Sequence, residues 1–199
     1  MVAGTLPVGA VLLALAFAQP PGQLSFYLLT VAVAATWGVG AVLSGPLSLG
    51  RVRTPDGWRS ALGAPVAVGV AAAVVVVATV VLVRQVPELR GFVDDLLDRA
   101  RGPAVPTALV TLANGGAEEL FFRGAVFAAL GPRRPVAGSV AVYASVTVAT
   151  GNPALVVAAV ALGLVFGLQR RASGGILAPL LTHLTWSAAL LAALPRLAR

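Results

Sequence analysis

The chain has 199 residues, 58% of them hydrophobic and 11% charged, with a mean hydropathy of +0.94. Those proportions exclude an ordinary water-soluble domain and a disordered chain, and the absence of cysteine excludes disulfide stapling, thiol chemistry and thiolate-held metal. The net charge of +7 could suit nucleic acid, but its 14 basic residues are all arginine and stand mostly in short gaps between apolar runs, so a lipid bilayer is the expected partner and nucleic acid is not.

Seven apolar stretches follow in order. The first, Val2 to Ala18, contains Pro7 and has no basic segment before it, so it reads as a membrane helix rather than a cleaved signal peptide. The second, Leu24 to Leu43, has the length that a hydrocarbon core of ~30 Å demands. A polar segment, Ser44 to Ser60, precedes the third stretch, Ala61 to Val83, in which Ala71-Ala72-Ala73 suits close helix packing. From Arg84 to Pro103, Val86, Leu89, Phe92, Val93, Leu96 and Leu97 recur at helical spacing, which predicts an amphipathic helix lying in the membrane interface.

The fourth stretch runs from Val105 to Leu130. Between Arg134 and Arg170 lie 35 residues, too many for one crossing at ~1.5 Å per residue. They divide into Val136 to Thr150 and Pro153 to Leu168, with a turn at Gly151-Asn152-Pro153. Gly163 and Gly167 in the sixth stretch have the small-xxx-small spacing that lets helix backbones approach. The seventh stretch is Gly175 to Leu194. The fold class expected is all-α, a polytopic transmembrane bundle of about seven spans with one interfacial amphipathic helix.

Sorting the loops by side puts Arg51, Arg53, Arg59, Arg133, Arg134, Arg170 and Arg171 on one face, and Arg84, Arg90, Arg99, Arg101, Arg196 and Arg199 on the other. The first set forms tight clusters beside helix ends, which places that face and the N-terminus in the cytoplasm. The protein is expected to be multi-pass in a membrane, the plasma membrane of a prokaryote.

Asp56, Glu88, Asp94, Asp95 and Asp98 fall outside the apolar stretches, whereas Glu118, Glu119 and Arg123 fall inside the fourth. A charge near the bilayer centre costs roughly 2.5–3.5 kcal/mol on insertion scales, so such residues usually have a function. Glu119 and Arg123 stand at i and i+4 in the favourable acid-first order and are expected to pair. Glu118 then needs a different partner, a water-filled cavity or a proton of its own, the circumstances of a general base or acid. The only histidine, His183, shares a face of the seventh stretch with Ser187 at i+4. A glutamate and a histidine on separate spans suggest one proton-transfer or water-activating pocket. Its fifth-span wall is expected to come from Ser145, Thr147 and Thr150, with Asn152 and Ser187 as further candidate lining. Because Glu118 lies in the second half of its span, that pocket is expected to open toward the Arg133-Arg134 loop.

The segment Ala117-Glu118-Glu119-Leu120-Phe121-Phe122-Arg123-Gly124, with Phe127 and Leu130 after it, resembles the first motif of the CPBP (CaaX protease and bacteriocin-processing, or Abi) family of intramembrane endopeptidases. Ala161 to Ser187, which holds Gly-Leu-Val-Phe-Gly-Leu-Gln-Arg-Arg, Ser-Gly-Gly-Ile-Leu-Ala-Pro and His183, resembles the closing section of that family. The resemblance covers roughly Val105 to Ala189 and implies residues 105–199 as the catalytic core, while residues 1–104, read from their apolar runs, are the N-terminal membrane helices and the interfacial helix. It implies three polar motifs: Glu-Glu-x-x-x-Arg, Phe-x-x-x-His, and His-x-x-x-Asn or Asp. Glu118, Glu119 and Arg123 satisfy the first; His183 satisfies the third, with Ser187 in the last place. In the second, Tyr143-Ala144-Ser145-Val146-Thr147 puts threonine where the histidine is expected.

A divalent metal such as zinc is implied by the resemblance, but catalytic zinc takes three protein ligands, and with Glu119 paired to Arg123 only Glu118 and His183 remain. No cofactor is therefore expected. The reading that follows is an intramembrane endopeptidase acting on a membrane-associated peptide or protein substrate. Catalytic roles fall to Glu118 as general base, Glu119 and Arg123 as its supporting pair, and His183 as carbonyl polariser. The alternative is a catalytically impaired relative with a binding or protective role, because the second-motif histidine is absent.

Overall fold

The computed structural model describes residues 1–54, 57–59, 62–99 and 102–197. Asp56, Arg101 and Arg199 lie outside them, as do the side chains of Arg53, Arg59, Leu96 and Arg99. Each apolar stretch forms a helix: α1 (Val2–Phe17), α2 (Leu24–Leu43), α3 (Gly63–Val83), α5 (Ala104–Glu118), α7 (Pro135–Thr147), α8 (Pro153–Ser173) and α9 (Leu177–Leu197). Between α3 and α5 lies α4 (Pro87–Arg99). The fourth stretch does not stay α-helical: after Glu118 the backbone widens into a π-helix, Glu119–Val126, and returns to a short α-helical turn, α6 (Phe127–Ala129). Among the described residues four helices, α2, α3, α8 and α9, are long and apolar enough to cross a membrane, while α1 and the Pro135–Thr150 segment are shorter.

The polar segment after α2 departs from an all-helical chain with a pair of antiparallel strands, β1 (Val52–Thr54) and β2 (Gly57–Arg59), with Thr54 opposite Gly57.

Helices α1, α2, α5, α9, α8 and α7 follow one another around a closed ring, each packed on the next, with α3 against the outside of α9. At one end, Arg51 N–H donates to the Ser173 carbonyl (2.8 Å) and Ile176 N–H to that of Ser48 (2.8 Å). There the backbones of Gly50 and Gly175 pass so closely that a Cβ on either would collide with the other strand of chain. At the opposite end, Gly151 turns the chain with φ +70° and Asn152 caps α8, its Oδ1 accepting from Ala154 N–H at 2.9 Å.

The α4 helix packs across that second end against α3, α8 and α9. Val93 and Leu97 are buried there, but Val86, Leu89 and Phe92 remain exposed, so only part of the predicted apolar stripe packs inward. Arg84 and Arg90 both pair with Asp94 (3.2 and 3.3 Å). Asn152 Nδ2 reaches over to the Phe92 carbonyl at 3.1 Å.

The spacing of Gly163 and Gly167 has the predicted use. A Cβ at Gly167 would meet Val136 Cγ1 at 3.0 Å, and one at Gly163 would stand 3.5 Å from Val140 and 3.4 Å from the Arg123 guanidinium. Leucine at 167 therefore has to force α7 from α8, whereas leucine at Gly4, which has nothing within 4 Å, projects outward. Gly167→Leu is expected to destabilise the protein in detergent by about 1–3 kcal/mol, the usual cost of overpacking, with Gly4→Leu unchanged. Denaturant unfolding of the two variants beside the parent checks this.

Candidate active site

The π-helix stands in the centre of the ring, packed by α2, α7, α8 and α9. Every residue in it except Leu120 is buried, including Glu119 and Arg123 at 0% exposure. A helix buried all round has no solvent to complete its backbone, so side chains from neighbouring helices do so. Ser139 from α7 donates to the Phe122 carbonyl at 3.0 Å, and Arg170 Nε from α8 donates to the Arg123 carbonyl at 2.7 Å.

Glu119 and Arg123 form the predicted pair, Nη1 to Oε1 at 3.1 Å. The guanidinium lies over two aromatic faces, with its carbon 4.7 Å from the Tyr143 centroid and 5.1 Å from that of Phe166, which offsets some of the cost of burying a cation. Phe121 and Phe122 pack on Trp37 of α2 at 4.9 and 5.2 Å between centroids, closing the opposite side of this helix. Among the described residues, Glu119 Oε2 and Arg123 Nε and Nη2 make no hydrogen bond.

The same Glu119 Oε1 is 2.9 Å from His183 Nδ1, so Glu119 serves two partners. The His183 ring stacks on Phe166 (4.9 Å between centroids, 20° between planes) and lies against α5 at Gly115, where a Cβ would meet its Cδ2 and Nε2 at 3.2 Å. With Nδ1 committed to a carboxylate, Nε2 is the nitrogen left for other chemistry. A carboxylate fixing the far nitrogen is a common way to set an imidazole's orientation.

Glu118 finds its partner on α7: the Tyr143 hydroxyl donates to Glu118 Oε2 at 2.7 Å. Glu118, Tyr143, His183 and Ser187 line one cavity of about 290 Å³. Beside them stand Asn114, whose Nδ2 donates to the carbonyls of Thr30 and Val110, and Trp186, whose buried indole N–H meets no acceptor among the described residues.

Several expectations need correction. Thr147 and Asn152 do not line the cavity: the Thr147 hydroxyl is turned back to the Tyr143 carbonyl of its own helix (2.9 Å), and Asn152 is occupied in capping α8 and holding α4. Ser145 is exposed on the other side of α7, and Thr150 donates to the Thr147 carbonyl. The cavity also runs the other way from that expected. Its wall passes from Glu118 back through Asn114 and Val110 to Thr107 in the first turn of α5, and it includes Phe17, Phe26 and Leu194. All four of those outer residues lie at the end of the ring opposite the Arg133-Arg134 loop. The residues preceding Glu118 on α5 face the gap, while those following it are sealed inside the π-helix.

Tyr143 is a site residue absent from the expected set, as are Asn114 and Trp186 beside it, and it has the clearest sequence signal of the three. It stands in the aromatic place of the second motif, and its signal was a hydroxyl-bearing ring one turn before Thr147.

Among the described residues no group of three His, Asp or Glu side chains is placed to share a metal ion. Glu119 is held by Arg123 and His183 and Glu118 by Tyr143, so the donors present do not fit a zinc site.

Residues 100–189 match the family described as type II CAAX prenyl endopeptidase Rce1-like. That match bears out the CPBP resemblance. It covers slightly less than half of the chain, from the end of α4 through most of α9, and contains Glu118, Glu119, Arg123, Tyr143 and His183. No curated protein and no solved structure matches the chain.

Removing Arg123 leaves the buried Glu119 carboxylate without its cation, with only the His183 ring as partner. Arg123→Met is expected to cost about 3–5 kcal/mol of stability, and adding Glu119→Gln to it should restore part of that loss. Unfolding in detergent of the single and double variants measures both.

Proposed function

We propose that the chain is an intramembrane endopeptidase of the CPBP type that hydrolyses a peptide bond near the membrane surface. In this reading all seven apolar helices are spans, α4 lies in the interface, and the N-terminus and the Arg133-Arg134 loop are cytoplasmic in the plasma membrane of a prokaryote. Reporter fusions in the Arg133-Arg134 loop and after α9 test the orientation, which an outside signal at the first position would reverse.

The observation that carries the proposal is a carboxyl and an imidazole from separate helices, each fixed by its own partner, on the wall of one cavity. Glu118 would take a proton from water as the hydroxide attacks the carbonyl carbon, then pass it to the departing amine. His183 Nε2 would face the carbonyl oxygen as negative charge develops on it. Glu119 would hold the imidazole through Nδ1, with Arg123 balancing the carboxylate. No step requires a metal ion. The rest of the cavity, lined by Val33, Val110, Leu190 and Leu194, suits an apolar part of a membrane-associated substrate.

A second reading, a catalytically impaired relative that binds or protects a membrane partner, is favoured by one observation. Thr147 stands where a histidine is expected, and its hydroxyl is bonded into its own helix.

Purified protein in liposomes, offered a library of membrane-proximal peptides, separates the two. Glu118→Gln is expected to lower cleavage by ~10²–10⁴, the usual contribution of one positioned base. Equal cleavage by parent and variant would remove Glu118 from the mechanism, and absence of cleavage by both would leave the binding role.

A further inference from the structure

Glu118 is the residue on which the proposed hydrolysis rests, and its environment differs between its two oxygens. Oε2 receives the Tyr143 hydroxyl at 2.7 Å, a short contact between two side chains. Glu118 is partly exposed and on the cavity wall, and among the described residues no hydrogen bond reaches its Oε1.

The donor is itself held on both sides. The Tyr143 ring lies 4.8 Å from Phe122 between centroids and 4.7 Å from the Arg123 guanidinium, and its backbone carbonyl receives the Thr147 hydroxyl at 2.9 Å. A phenol clamped in this way cannot swing out of hydrogen-bond range without breaking the packing around the buried ion pair. The other titratable groups in electrostatic reach of Glu118 are His183 from α9, and Glu119 and Arg123 from its own chain segment. His183 Nδ1 and the Arg123 Nη1 are already directed at Glu119. Tyr143 therefore supplies the hydrogen bond that decides where the Glu118 carboxyl points.

We propose that Tyr143 is the positioning residue of the site: its hydroxyl holds Glu118 Oε2 and thereby presents Oε1 to the cavity as the working oxygen. This rests on Glu118 being the general base. The polar contribution of α7 comes from position 143 and not from Thr147, one turn on. A hydroxyl at the aromatic place does the orienting.

Tyr143→Phe removes one oxygen and keeps the ring that packs on Phe122 and Arg123. Dicyclohexylcarbodiimide, an apolar reagent that adds to carboxyl groups in apolar surroundings, provides a readout independent of turnover, with the labelled residue located by peptide mass spectrometry. Releasing Glu118 from its hydrogen bond is expected to raise its labelling rate roughly two- to tenfold over the parent at the same pH, the size of one hydrogen bond. On a peptide that the parent cleaves, kcat is expected to fall about ten- to hundredfold with KM unchanged, and the limb of the pH profile set by Glu118 to move. An unchanged or slower labelling rate overturns the proposal, and so does turnover with the parent's kcat and pH profile. If neither protein cleaves any peptide, the protease reading fails, and the labelling rate alone still decides whether Tyr143 governs Glu118.

Discussion

An ion pair with no exposure to solvent, Glu119 with Arg123, sets the terms on which the centre of this bundle is built. Charges in so apolar a setting are tolerated only when each is paired and further bonded, because desolvation otherwise exceeds their attraction. The surrounding sequence can be read as meeting that demand. Tyr143 and Phe166 cover the guanidinium faces, His183 brings a second partner to the carboxylate, and Gly163 leaves room for the cation beside α8. The wider π-helical turn occurs where these residues are concentrated, a frequent association between that geometry and function.

The same demand explains how the polar groups are shared out. The first glutamate is left free of the arginine and reaches the cavity; the second is used for structure and for orienting the histidine. Two adjacent carboxylates thereby take different parts without any difference in their chemistry. The cavity holds its ionisable groups at the end where α5 passes into the π-helix, and the remainder of its wall is mostly apolar, with Thr30, Thr107 and Thr111 as its hydroxyl-bearing members.

Much of this was legible in the sequence. Helix boundaries fell close to the apolar runs, because membrane-length helices are set by composition over many residues, and the Glu119–Arg123 pair followed from spacing alone. Less legible was anything depending on one side chain's choice between local and distant partners. Thr147 had a backbone carbonyl four residues back and Asn152 an α8 terminus to cap, and each took the local bond. Tyr143 had no such option for its hydroxyl, which reached Glu118 instead. The direction of the cavity likewise depends on packing that the sequence does not display. Position within a span does not set the side to which a residue opens, because the π-helix fills the space beyond Glu118 with Phe121, Phe122 and Val126.

The wall of the cavity is divided unevenly between the two parts of the chain. Leu13, Ala16 and Phe17 of α1 and Phe26, Thr30 and Val33 of α2 face it, although both helices precede residue 100, where the family match begins. The groups proposed to act on a bond and the surface that decides what fits beside them are therefore carried by different stretches of sequence. Replacing the first two helices with others of equal length and different bulk would alter which molecules can enter, while the reacting carboxyl and imidazole kept their present partners.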